Sequence, residues 1–104
     1  MTPNQFKVGS WVVNDETYNA TSGSKVKKLT RQEFVILMLL ARNAESVVPR
    51  EKLMLPSKRT RTSRTIDTHI CRIRKMLGLD ADVIESVHGQ GYCLHRERRV
   101  QNLP

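Results

Sequence analysis

The string Thr30-Arg31-Gln32-Glu33, followed by Phe34-Val35-Ile36-Leu37-Met38-Leu39-Leu40-Ala41, limits this chain more than any other segment. The first four residues spell a helix start. A threonine oxygen accepts the free N–H of the third residue on, and the glutamate reaches back to the threonine N–H. The apolar run behind them has no polar side. A helix of that kind sits in the middle of a core, so the rest of the chain must wrap around it. The run is also far short of the roughly 20 residues that cross a bilayer.

What precedes this helix reads as short strands. Trp11-Val12-Val13 lies between the turn signals Gly9-Ser10 and Asn14-Asp15. Thr17 to Thr21 and Lys25 to Leu29 are two more strands, split by Ser22-Gly23, with Val26 and Leu29 as the expected buried residues. Phe6-Lys7-Val8 adds a fourth. The expectation is a small antiparallel sheet packed on the helices through Trp11 and Tyr18.

After the central helix, Val47-Val48 connects to a short helix that opens at Pro49 and stops before Pro56. Residues 57–62 are polar and basic, a loop. A third helix runs from Arg64 to Leu77, capped by Thr62 or Ser63 and closed by Gly78. Its Ile66, Ile70, Ile73 and Leu77 recur at helical spacing and form one narrow stripe. The opposite side collects Arg64, Thr65, Thr68, Cys71, Arg72 and Lys75. Asp67 is read as a structural charge in the first turn, where it favours the helix dipole. A hairpin closes the pattern: Val83 to Val87, a tip at Gly89-Gln90-Gly91, and Tyr92 to His95.

The 104 residues carry a formal charge of +8, which draws polyanions, nucleic acid before an anionic membrane. The charge is segregated. Residues 63–77 hold Arg64, Arg72, Arg74 and Lys75 against Asp67, whereas 78–95 hold Asp80, Asp82 and Glu85 with no Lys or Arg. No paired carboxylates, nucleophile set or phosphate loop appears, which argues against an enzyme. Cys71 and Cys93 stand at no metal-ligand spacing, so the expectation is no metal, no cofactor and two ordinary thiols.

A short helix followed by an amphipathic one suggests helix-turn-helix. The third helix offers guanidinium, ammonium and hydroxyl groups opposite its isoleucines. Such a helix fits the major groove, where arginine reads guanine and threonine meets the thymine methyl. The strings LTRQEFVILMLL, VVPREKL, SRTIDTHICRIRKML and IESVHGQGYCL together resemble the effector domain of OmpR/PhoB-type transcriptional regulators. The resemblance covers about residues 6–95.

It implies an α+β winged helix-turn-helix over residues 1–96: the sheet in 1–28, three helices in 29–78 and the wing in 83–95. A polar tail or linker start follows over 97–104. Arg72 and Thr68 then match base-contacting positions. Arg64, Thr65, Arg74 and Lys75 match phosphate contacts, and His69 lies between the two faces. Ser86, His88 and Tyr92 match wing positions at the flanking minor groove or its backbone. Cys71 and His88 depart from the family by replacing arginines. The loop between the second and third helices touches RNA polymerase in the family; here its Lys58, Arg59 and Arg61 suit phosphates.

The resemblance makes double-stranded promoter or operator DNA the expected partner of a bacterial regulator, with RNA polymerase and a second copy bound in tandem as further partners. The sheet begins almost at Met1, with FKVGSWVV and no receiver before it. That layout resembles the ToxR/CadC group, which implies a membrane tether downstream of a cytoplasmic domain. The competing readings are a protein-interaction module with weak DNA contact and a basic RNA-binding domain.

Overall fold

A computed structural model describes residues 5–53 and 63–96, with the backbone alone described at 63–65. Strands β1 (Gln5–Val8), β2 (Trp11–Asn14), β3 (Asn19–Ser22) and β4 (Lys25–Lys28) pair antiparallel in sequence order. Phe6 opposes Val13, Val13 opposes Ala20, and Val8 opposes Trp11. Side chains alternate along a strand, so these residues share one face, and that face is buried at Val8, Trp11, Val13 and Ala20.

The alternation also corrects an expectation. Leu29 is buried, but Val26 is 60% exposed. Two positions an odd number apart in an extended segment point to opposite sides, so Val26 and Leu29 cannot share the core.

Helix α1 (Arg31–Arg42) starts at the capping box. The Glu33 N–H donates to Thr30 Oγ1 at 3.1 Å, and the Thr30 N–H donates to Glu33 Oε1 at 3.0 Å. Phe34, Ile36, Leu37 and Leu40 are buried, and Val35, Met38 and Leu39 pack at the margin of the core. Aromatic contacts tie helix to sheet: Tyr18 stacks on Phe34 at 4.4 Å between ring centres, and Phe6 is tilted against the same ring at 6.0 Å. Trp11 Nε1 donates to the Leu77 carbonyl at 3.4 Å. Trp11 and Tyr18 thus pack the sheet on the helices as expected.

Helix α2 (Arg50–Leu53) begins one residue later than expected. Pro49 lies before it and accepts from the Lys52 N–H through its carbonyl at 3.0 Å. The stop before Pro56 and the loop 57–62 lie outside the described residues. Helix α3 (Ser63–Leu77) buries its whole stripe of Ile66, Ile70, Ile73 and Leu77. Gly78, at φ +61°, ends it in the left-handed region that suits glycine.

A 3-10 turn over Gly78–Val83 then leads to β6 (Ile84–Val87) and β7 (Gly91–Leu94), the wing hairpin. Val83 closes the turn instead of opening the strand.

Val47–Val48, read as a mere connection, is a strand, β5. It pairs antiparallel with β7, giving a second sheet in the order β5-β7-β6. Two residues have no period to read, which is why sequence missed it. Gly91 shows how closely the two segments approach. A Cβ there would stand 2.1 Å from the Val48 carbonyl oxygen, and its φ of +151° is also strained for other residues.

Candidate nucleic-acid interface

Helix α3 divides cleanly. Its stripe is buried against the core, while Thr68, Cys71, Arg72 and Lys75 are exposed on the other side. The exposed set mixes one guanidinium, one ammonium, a hydroxyl and a thiol, held on a rigid helix. Arg64 and Thr65 belong to the same helix, but their side chains lie outside the described residues. So do Lys58, Arg59 and Arg61 altogether.

His69 falls between the faces, as expected, and is half-buried. Its Nδ1 is buried without a hydrogen-bond partner among the described residues. Burial pushes its pKa down; Glu33 acts weakly the other way.

Arg74 and Tyr92, both expected at the DNA, make hydrogen bonds inside the domain. Tyr92, on β7, is only 5% exposed. Its hydroxyl donates to Asp67 Oδ1 on α3 at 2.5 Å. Arg50 Nε of α2 donates to the same oxygen at 2.9 Å. Two guanidinium groups flank the tyrosine ring, Arg50 at 5.5 Å and Arg74 at 5.7 Å from its centre. Arg74 Nη2 also donates to the Ile84 carbonyl at 2.7 Å and to Ser86 Oγ at 2.8 Å on β6. Ser86 stays exposed but carries that bond.

Asp67 is the hub of this cluster. It lies beyond the first turn of α3, so the dipole reading is replaced by a direct one. The Tyr92 hydroxyl, then Arg50, hold its carboxyl below the usual aspartate range. Burial, then the bond to Asp67, raises the Tyr92 phenol.

At the wing tip His88 is exposed in the turn between β6 and β7. The acidic segment behind the wing is partly internal fastening. Asp80 accepts from Ser10 Oγ at 2.5 Å, and Glu85 Oε1 lies 2.7 Å from His95 Nε2. His95 is buried, with Glu45 Oε1 at 3.0 Å from its Nδ1. Nothing in the sequence marked His95; a lone histidine at a strand end carries no spacing signal. Neither cysteine is in a disulfide, and Cys71 is exposed whereas Cys93 is buried.

Residues 24–94 match the family described as "Transcriptional regulatory protein, C terminal". The Heme response regulator HssR of Staphylococcus epidermidis is 34% identical over 94 residues, covering 86% of this chain and 42% of that protein. The chain therefore spans less than half the length of such relatives. The DNA-binding domain of CpxR from E. coli superposes with a TM-score of 0.76 at 29% identity, over 94% of this chain and 100% of that one. The DNA-binding domain of RstA from Klebsiella pneumoniae, solved in complex with the RstA box, has the same fold at a TM-score of 0.69 and 22% identity, over 88% and 97% of the two chains. With α2 and α3 as the helix-turn-helix and β6–β7 as the wing, this chain belongs to that family of transcriptional regulatory proteins, as an OmpR/PhoB-type winged helix-turn-helix domain.

Proposed function

We propose that this domain binds double-stranded DNA in a sequence-specific manner, as the effector part of a bacterial transcription regulator. Helix α3 enters the major groove, and the β6–β7 wing lies on the adjacent minor groove or backbone. The observation that carries this reading is the division of α3: a fully buried isoleucine stripe with Thr68, Cys71, Arg72 and Lys75 exposed opposite. An α-helix fits the major groove, and these groups can reach base edges and phosphates. The family membership and the RstA domain's complex with the RstA box point the same way.

In this reading Arg72 and Thr68 contact bases. Lys75, Arg64, Thr65 and the loop residues Lys58, Arg59 and Arg61 meet phosphates, with His69 at the margin of the helix contact and His88 and Ser86 at the wing. The expectations of tandem binding of a second copy, contact with RNA polymerase and a membrane tether concern the whole protein and are tested on it. Among the described residues no helix is long and apolar enough to cross a membrane.

The test is selection of a duplex from a random-sequence library, followed by titration at several salt concentrations. Affinity falls steeply with salt as bound phosphates release counterions. Arg72→Ala loses about 1–3 kcal/mol of discrimination, whereas Lys75→Ala weakens all duplexes alike. An unchanged specific-to-nonspecific ratio in Arg72→Ala removes it from the base-reading set. Preference for single-stranded RNA over every duplex overturns the reading.

A further inference from the structure

We infer that Tyr92 is a positioning residue: it locks the wing to the recognition helix, so that the two DNA-facing elements engage a site as one rigid unit. The inference rests on the DNA-binding reading above and deepens it.

Three separate elements converge on this one side chain. Its ring belongs to β7 of the wing, its hydroxyl ends on Asp67 of α3, and Arg50 of α2 both bonds Asp67 and covers the ring. Arg74 of α3 covers the ring too and reaches across to Ile84 and Ser86 on β6. Both strands of the wing are therefore bonded directly to the helix expected in the groove. These bonds are charge-assisted, the stronger class of hydrogen bond. A cation over a desolvated aromatic face adds to them.

The cluster has a further property. It removes from the DNA-facing set two residues, Tyr92 and Arg74, whose chemistry would otherwise suit phosphates, and uses them to fix an angle. A wing held at a fixed angle meets the flanking duplex without ordering cost at the moment of binding. A loose wing must be ordered on contact, and affinity drops by that amount.

The experiment uses the whole chain and a duplex selected by the wild-type protein from a random library. It is offered at full length and truncated on the wing side. The wild type is expected to favour the full-length duplex by about ten-fold or more. Tyr92→Phe keeps the ring beside the two arginines and loses the hydroxyl with its bond to Asp67. Its affinity for the full duplex should fall by about ten-fold, the order set by one charge-assisted hydrogen bond, while its affinity for the truncated duplex stays at the wild-type value. Asp67→Asn keeps an acceptor oxygen for the hydroxyl and should retain more of the full-length preference than Asp67→Leu.

A general loss of structure would lower both affinities together, and that outcome overturns the positioning role. So does an unchanged full-to-truncated ratio in Tyr92→Phe, or a wild type indifferent to truncation. Failure of the wild type to enrich any duplex sequence is a different result. It overturns the DNA-recognition reading itself, and this inference with it.

Discussion

His95 Nδ1 lies 3.0 Å from Glu45 Oε1, and this pair fastens the exit of the wing to the turn that leaves α1. The other ring nitrogen faces Glu85 at 2.7 Å, an arrangement fully satisfied when each nitrogen carries a hydrogen. Glu45 Oε2 also accepts the Arg96 N–H at 2.7 Å. That backbone bond, then His95, holds the Glu45 carboxyl below its ordinary value of 4.5. A carboxyl depressed in the fold contributes stability above its unfolded pKa and loses it as pH falls through the folded one. Glu45→Gln should therefore melt below the wild type at pH 7, and the gap should close as pH drops below about 4.5. A gap that stays constant down to pH 3 would show that the carboxylate charge is not what matters.

His69 acts at milder pH. Burial lowers its pKa from the ordinary 6.5, so the unfolded chain takes up the proton first. Stability is then full above about 6.5 and declines as pH falls toward the folded value. Replacing it by leucine removes both this proton uptake and the buried Nδ1, which has no hydrogen-bond partner among the described residues. The denaturant midpoint of His69→Leu should drop less than that of the wild type between pH 7.5 and 5.5. Equal drops would place the acid sensitivity elsewhere.

The two wing glycines should respond differently to alanine. At Gly91 the added Cβ meets the Val48 carbonyl at 2.1 Å and the backbone is strained as well, whereas at Gly89 the φ is +75° and nothing lies within 4 Å. Gly89→Ala should cost about 1–2 kcal/mol from backbone conformation alone. Gly91→Ala should cost about 3 kcal/mol or more, since overpacking adds to strain. Chemical denaturation ranks them; a smaller loss at Gly91 would mean that β5 yields easily.

Thiol labelling separates the two cysteines. Cys71 is exposed on α3 and Cys93 is buried in the wing sheet. N-ethylmaleimide should modify Cys71 in the native protein and Cys93 only after denaturant is added. Because Cys71 sits between Thr68 and Arg72 on the exposed face, the adduct should abolish binding to the selected duplex. Retained affinity after complete Cys71 labelling would move the contact surface off this part of α3.

What the sequence made legible was what repeats. The capping box located α1, and the isoleucine stripe located α3 and its exposed side, because helical periodicity is a local property. Val26 was misplaced for want of a register: the alternation is local, but which phase faces inward is decided by Val13 and Ala20 on neighbouring strands. β5 was missed because a pair of valines becomes a strand only when β7 arrives beside it. The Arg50–Asp67–Tyr92 cluster was out of reach for the same reason. Asp67 reads as a dipole charge and Tyr92 as a wing contact until the fold joins α2, α3 and the wing.

The order β5-β7-β6 has a consequence for how the protein is made. The middle strand of the second sheet is the last to leave the ribosome. β5 and β6 are synthesised first and have no ladder partner until Gly91–Leu94 slides between them. The nascent domain thus stays open, with both strand edges waiting, until nearly the whole winged unit has emerged. Trimming the chain back past Leu94 would remove the keystone and leave two orphaned strands, so loss of function from that end should come abruptly.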